Sequence, residues 1–386
     1  MKITFICGYD WSLIQFRLDL IKCFLNKGWK VSALYPASEE KPTKILEELG
    51  VETQTLTGDR LNLNPFHLVK QFYQLLRSKS LHNSEVIFVY HMKYIFLYSF
   101  ISIFIRSKTS VCLLAGLGNF FDFSDNSNHF RQRCKLFLFR LALNAYNAVI
   151  CQNESIPKFI DKFNLLSSRT KITIVNGSGV NTEILTPVTR NCRKIRFLSI
   201  GRPIKEKGFI ELINVFKQLE DKDLELTIVL GNNVKNIKDV EQTIRMTASL
   251  DKRIEVKSFN AEISTYYKTH DVFVLNTYYN EGLPKTLLEA MSCGLPLITT
   301  NRPGCCLTVS EPQNNGVNDS FMIGENGLLT NGKPSSLKAS LEYMVKNKHL
   351  LVKMGKLSRQ LAMKNFDSKL INSKMIQAIE ACVFKK

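Results

Sequence analysis

The ten cysteines of this 386-residue chain include no C-x-x-C pair, and the adjacent Cys305 and Cys306 have no histidine at metal-ligand spacing. That excludes a cysteine-based metal site and leaves buried, reduced thiols of a cytosolic protein. No cluster of Asp and His has metal-site spacing, and no Asp-x-Asp triplet accompanies the site segments described below. Neither a metal nor another cofactor is therefore expected. The longest apolar run, residues 94–105, falls well short of the ~20 residues that span a bilayer. It reads as a buried crossover helix or as a helix face that dips into a membrane surface. The opening MKITFICGYD reads as a strand entering a loop, without a charged leader and cleavage site. Short internal repeats, low-complexity tracts and nucleic-acid-binding modules are all missing, so no nucleic-acid partner is expected.

Acid is scarce in one region. The chain carries a formal net charge of +18, and residues 60–140 hold eleven Lys/Arg against Glu85, Asp122 and Asp125, so 11 − 3 leaves +8 there. The excess surrounds the apolar run. That pairing points to an anionic membrane surface as partner, and to a peripheral position on the inner face of the plasma membrane.

What is present is an alternation of short β-branched runs with longer amphipathic ones. KITFIC, WKVSALY, EVIFVYH, SVCLLAG, AVICQN and KITIVNG read as strands, with helices over residues 15–27, 43–49 and 66–79 between them. After a polar stretch near residue 190 a second series begins with IRFLSIG, LELTIVLG, RIEVKSF, DVFVLN and LPLITT. The predicted class is α/β: two doubly wound, Rossmann-like domains with parallel sheets, facing across a cleft that holds the ligands. Boundaries fall at 1–188 and 189–366, with a final helix over 367–386 packing back on the first domain.

The most informative segment is NEGLPKTLLEAMSCGLPLITTNRP, residues 280–303. It sets Glu281 in a loop with Gly282 and Pro284, and Glu289 about a turn into a helix that begins near Lys285 and stops at Gly294. The unpaired N–H groups of Lys285, Thr286, Leu287 and Leu288 are expected to form an anion site flanked by the two carboxylates. A nucleotide diphosphate sugar fits such a site; an acid/base hydrolytic pair and two merely exposed glutamates are the alternatives. A second segment, SIGRPIKEKGF at residues 199–209, follows the first strand of the second domain. There Gly201 permits a close turn, while Arg202 and Lys207 offer two cations suited to a diphosphate.

Together, GRPIKEKG and NEGLPKTLLEAMSCGLPLI resemble the family-4 retaining glycosyltransferases of the GT-B fold, including their E-x7-E signature. FICGYDWSLIQFRLDLIKCFLNKGWKVSALYP, NPFHLVKQFY, LAGLGNFF, CQNES and GENGLLT extend the resemblance across the chain. They are similar to a bacterial subgroup that includes polyprenyl-diphosphate-glycan N-acetylgalactosaminyltransferases and capsule and O-antigen transferases.

The resemblance implies a UDP-sugar donor and a polyprenyl-diphosphate-linked acceptor, with anomeric configuration retained. It implies that Arg202 and Lys207 hold the donor diphosphate and stabilise the leaving group, with Gly8 and Gly201 allowing close approach. It also implies that Glu289 takes the ribose hydroxyls and Glu281 the sugar hydroxyls. Gly282, Lys285, Thr286, Leu287 and Leu288 would lie along the donor, and His91, ending the strand EVIFVYH, near the transferred sugar. On the acceptor side stand Arg17, Lys93, Gly116, Gly118 and Asn119. Gln15 replaces the subgroup's usual histidine, and Ala115 replaces an acid before Gly-Leu-Gly. A soluble or different lipid acceptor, or a nucleotide-sugar-binding protein without catalysis, are the competing readings.

Overall fold

The computed structural model describes residues 1–58, 64–105, 109–117, 129–190, 194–231, 238–259, 263–279, 281–314 and 320–384. The chain divides into two compact units, Met1–Ser178 with Lys369–Lys386, and Gly179–Ser368.

The first unit is built on seven strands: β1 (Lys2–Ile6), β2 (Lys30–Pro36), β3 (Glu52–Leu56), β4 (Val86–Tyr90), β5 (Thr109–Leu114), β6 (Ala148–Cys151) and β7 (Lys171–Ile174). All pairings are parallel, in the order β3-β2-β1-β4-β5-β6-β7. Central strands read as continuous apolar runs because both faces are covered. Ile3, Phe5, Phe88 and Val111 point into one core layer; Ile6, Ile87, Val89 and Cys112 point into the other. β3 was not among the strands expected from the sequence. Its ETQTL carries little apolar signal because it lies at the sheet edge, half exposed.

The second unit contains β8 (Arg196–Gly201), β9 (Glu225–Leu230), β10 (Ile254–Ser258), β11 (Val272–Leu275), β12 (Leu297–Thr300), β13 (Gln313–Asn314), β14 (Phe321–Ile323) and β15 (Gly327–Thr330). Their order is β10-β9-β8-β11-β12-β15-β14-β13. The expected parallel sheet is present from β10 to β15, but β13 and β14 pair antiparallel and form its far edge. Strand order reverses direction between β1 and β4 in the first unit and between β8 and β11 in the second. In open parallel sheets these are the positions where a crevice opens beyond the carboxyl ends of the strands.

Two boundaries differ from expectation. The predicted helix over 15–27 is two helices, Trp11–Phe16 and Leu18–Asn26, because Arg17 leaves helical geometry at φ −129°. The units separate after Ser178, earlier than 188, because the connecting segment is already bonded into the second unit. Val180 bridges Asp367, the Thr182 hydroxyl donates to the Asp367 carboxylate, and Arg190 donates to the carbonyls of Tyr267, His270, Cys293 and Gly294. The helix Ser368–Val383 contributes Ile371, Met375, Ile376 and Ile379 to the first unit's core.

One close approach sets the packing of helix Leu351–Asn365 in the second unit. A Cβ on Gly355 would lie 2.2 Å from the carbonyl oxygen of Gly294. Gly355→Ala is therefore expected to destabilise the protein by about 2–4 kcal/mol. Gly332→Ala, at φ +85° with nothing within 4 Å of its Cβ position, should cost about 1–2 kcal/mol from backbone strain alone. Urea unfolding of the two variants measures the difference.

Candidate active site at the second switch point

At the carboxyl end of β8 the chain turns through a short 3-10 segment, Lys205–Lys207, into helix Phe209–Phe216. Gly208 joins them in the left-handed region at φ +67°, and a Cβ there would sit 2.1 Å from the Asn276 carbonyl oxygen. Only glycine allows this approach. It brings the turn after β8 against the loop after β11, and two hydrogen bonds hold them together. The Tyr278 N–H and the Thr277 hydroxyl both donate to the Glu206 carbonyl, at 2.9 and 3.0 Å. Thr300, at the end of β12, braces the same loop by donating its hydroxyl to the Thr277 carbonyl at 2.6 Å.

This frame brings Lys207 and Glu281 together. Lys207 Nζ lies 2.5 Å from Glu281 Oε1, with the two side chains 8% and 15% exposed. At that burial the pair is shielded from solvent and salt, unlike a surface ion pair. Gly201 leaves room for the lysine stem: a Cβ on it would lie 3.2 Å from Phe209 and 3.5 Å from Lys207 Cδ. The Glu281–Gly282 backbone is pressed against Gly304, whose Cβ would meet the Gly282 carbonyl oxygen at 2.0 Å. The nearby Cys305 thiol is pushed up to about 12, by burial first and by the Glu281 charge second. It is a packing residue.

Glu289 is held differently. Helix Lys285–Ser292 directs it toward Tyr267, whose fully buried hydroxyl donates to Glu289 Oε2 at 2.8 Å. Lys285 Nζ stands 3.7 Å from the other oxygen, Oε1. Burial, followed by the Glu289 charge, raises the Tyr267 phenol well above its usual range, so it stays protonated as a donor. One carboxylate oxygen is thereby fixed by the phenol, and the other faces the Lys285 ammonium.

The helix start does not offer the four unpaired donors expected from the sequence. The N–H groups of Leu287 and Leu288 both donate to the Pro284 carbonyl, at 3.1 and 3.4 Å, and their side chains lie in the core. Pro284 occupies the cap and turns its own carbonyl to them, so any anion site here is confined to the Lys285 and Thr286 end. Arg202 makes no side-chain hydrogen bond or ion pair among the described residues, and is half-buried beside the turn.

In the first unit, the corresponding switch point joins Gly8 to His91. The Gly8 N–H donates to His91 Nδ1 at 2.9 Å, and His91 itself adopts φ +74°. Accepting at Nδ1 places the imidazole proton of the neutral ring on Nε2. Lys93 sits in the first turn of the next helix, Met92–Ile101, with its ammonium 5.5 Å from the Tyr94 ring. Gly116 lies two residues past the end of β5. Arg17 is not at the surface: it is 2% exposed, lies 5.4 Å over the Tyr90 ring and donates to the Phe16 carbonyl. Burial lowers it to about 10. Gly118 and Asn119 lie outside the described residues.

Sequence reasoning missed Tyr267, Gly208, Gly304 and the Thr277–Glu206 bond. None has a motif signal, because each acts through a partner distant in sequence. It also passed over the chain's Asp-x-Asp triplet at residues 221–223. That triplet precedes β9, at the amino end of the strand and away from the switch point, with the Asp223 N–H donating to Asp221. Among the described residues no group of three His, Cys, Asp or Glu is arranged to hold a metal ion.

Residues 181–361 match the family model of glycosyl transferases group 1. The chain is 23% identical over 334 residues to the N,N'-diacetylbacillosaminyl-diphospho-undecaprenol alpha-1,3-N-acetylgalactosaminyltransferase of Campylobacter jejuni, covering 80% of this chain and 83% of that protein. It is 24% identical to the capsular polysaccharide biosynthesis glycosyltransferase CapM of Staphylococcus aureus, over 45% of this chain and 42% of the relative. Among solved structures, Anabaena Alr3699/HepE in complex with UDP and glucose superposes with a TM-score of 0.78 at 15% identity, covering 99% of this chain and all of that one. The sucrose-phosphate synthase of Thermosynechococcus elongatus gives 0.77 at 17% identity, with full coverage of both chains.

The Lys207–Glu281 pair generates a test independent of any substrate. Lys207→Met leaves a mostly buried carboxylate without its cation and is expected to lower stability by about 2–3 kcal/mol. Adding Glu281→Gln should recover at least ~1 kcal/mol of that loss. A double-mutant cycle from urea midpoints measures the coupling; additive losses would show that the pair is not coupled.

Proposed function

The chain is a glycosyltransferase of group 1 with the GT-B fold, and from that premise we propose that it transfers a hexose or N-acetylhexosamine from a UDP-sugar to a polyprenyl-diphosphate-linked glycan, with retention of configuration. The reading rests on one observation above all. Two carboxylates near the start of the helix after β11 each have a specific partner: Glu281 pairs with Lys207 from the turn after β8, and Glu289 is held by Tyr267 with Lys285 beside it. General acid/base hydrolysis asks for carboxyl groups facing a scissile bond, one of them protonated. Here Glu281 is neutralised by Lys207, and Glu289 is fixed by Tyr267.

In this reading Glu289 presents Oε1 to the ribose hydroxyls, and Glu281 accepts hydrogen bonds from sugar hydroxyls while Lys207 holds it in place. Arg202 supplies the uncommitted guanidinium to the donor diphosphate. Lys207, with three donors on its ammonium, reaches from Glu281 toward the same phosphates. As the glycosidic bond breaks, negative charge grows on the leaving phosphate, and preorganised cations stabilise it. His91, with its proton on Nε2, acts as a hydrogen-bond donor to the sugar and not as a base. Two relatives support the pathway class: one acts on a lipid-linked diphosphate by name, the other in capsular polysaccharide biosynthesis. The same reading places the enzyme in the cytoplasm, peripherally on the membrane's inner face.

A panel of UDP-sugars assayed against a short-chain polyprenyl-diphosphate-sugar, with product anomericity read by NMR, tests the reaction. Transfer with inversion, or to a soluble acceptor in preference, would overturn it. Glu289→Gln and Arg202→Ala are each expected to lower turnover at least about tenfold, and near-normal rates in both would remove the site assignment. Charge is supplied by side chains throughout, so turnover should persist in excess EDTA; its complete loss there would refute metal independence.

A further inference from the structure

Three helices, Pro65–Leu76, Met92–Ile101 and His129–Asn144, lie side by side over one face of the first sheet. Their inner residues Leu75, Tyr94, Tyr98, Phe139 and Leu143 share one core cluster. Phe72 on the first helix meets Phe104, just after the second, at 6.4 Å, and Phe96 meets Phe139 on the third at 6.1 Å. With its core-facing side already filled, such a helix ordinarily presents polar residues outward. These present large apolar residues outward as well.

Phe66 is 85% exposed, Ile103 78% and Phe130 76%, with Phe104, Phe137 and Leu141 also exposed. On the third helix, positions 130, 137 and 141 fall on one side, opposite the buried Phe139 and Leu143. Scattered exposed apolar residues need no explanation, but a set that with the exposed Phe100 reaches all three adjoining helices marks a contact surface.

The charge on these helices selects the partner. Their sequences contain no Asp or Glu, and they carry Lys70, Lys93, Arg131, Arg133, Lys135 and Arg140. A second copy docked symmetrically on this face would oppose cations with cations. An anionic bilayer satisfies both features: aromatic rings enter the headgroup–acyl boundary while Lys and Arg reach lipid phosphates. No helix among the described residues is long and apolar enough to cross a membrane, so contact would be lateral.

We propose that this three-helix face is a docking surface for an anionic lipid bilayer. The proposal deepens the lipid-linked acceptor reading and takes its purpose from it: docking holds the first unit where a membrane-embedded acceptor emerges.

The test is co-sedimentation of the full chain with phosphatidylglycerol-rich vesicles, against pure phosphatidylcholine vesicles. Wild type is expected to pellet with the former and to be partly released by salt. Phe66→Ser/Phe130→Ser/Phe137→Ser should reduce the bound fraction at least about tenfold at any salt concentration. Arg133→Gln/Arg140→Gln should reduce it by about tenfold at low salt only. Because all five side chains are exposed, melting temperature and transfer to a short-chain, water-soluble acceptor should match wild type for both variants.

Wild type remaining in the supernatant, or a triple-serine variant that pellets equally, overturns the proposal. So does a wild-type dimer that the serine variant dissociates without any vesicle binding, which would assign the face to a second copy. Vesicle binding without transfer to any polyprenyl-diphosphate acceptor would instead leave the docking surface standing and remove the acceptor reading.

Discussion

The second unit's switch point depends on one close approach. Gly208 lies against the Asn276 carbonyl at a separation that admits only a hydrogen atom on Cα. Once that contact is made, the turn after β8 and the loop after β11 have no freedom to part. The Glu206 carbonyl then collects two donors from Thr277 and Tyr278, and Lys207 comes within hydrogen-bond distance of Glu281. A second glycine, Gly304, repeats the device on the other side of Glu281. The charged groups are thus placed by backbone packing, which is rigid, and not by long side chains reaching across solvent.

The two glutamates share a motif but not an environment. Glu281 sits in a loop and owes its position to an ammonium; Glu289 sits on a helix and owes its orientation to a buried phenol. A carboxylate neutralised by a lysine loses little by accepting uncharged hydroxyls. One held at a single oxygen presents the other in a defined direction. Each carboxylate is thus held by its own partner, which is the basis of the recognition role proposed for the pair.

The first unit uses the same topology for a different end. At its switch point the Gly8 N–H donates to His91 Nδ1, with His91 held at a positive φ that a non-glycine residue rarely adopts. Around it the unit is basic and, over three helices, apolar on the outside. The charged switch point thus belongs to the second unit, and the exposed apolar and basic helices belong to the first.

Much was legible in the sequence because it was local. Period-two and continuous apolar runs marked most of the strands, and Pro284 and Gly294 bracketed a helix that indeed runs Lys285–Ser292. The resemblance carried by E-x7-E and GRPIKEKG pointed to glycosyl transfer. What stayed hidden was carried by long-range geometry. β3 is an edge strand with almost no apolar signal, and the β13–β14 edge rests on short pairings set by its neighbours. The resemblance sets Arg17 on the acceptor side, yet packing buries it over the Tyr90 ring. The N–H groups of Leu287 and Leu288 look unpaired until the Pro284 carbonyl turns onto them. Residue spacing along a helix or strand fixes which side chains share a face, so the sequence by itself determined the fold class and the candidate residues. Tertiary structure alone decided which atoms of those residues remain available, because partners such as Tyr267 and Gly304 come from separate loops and helices, joined only when the chain folds.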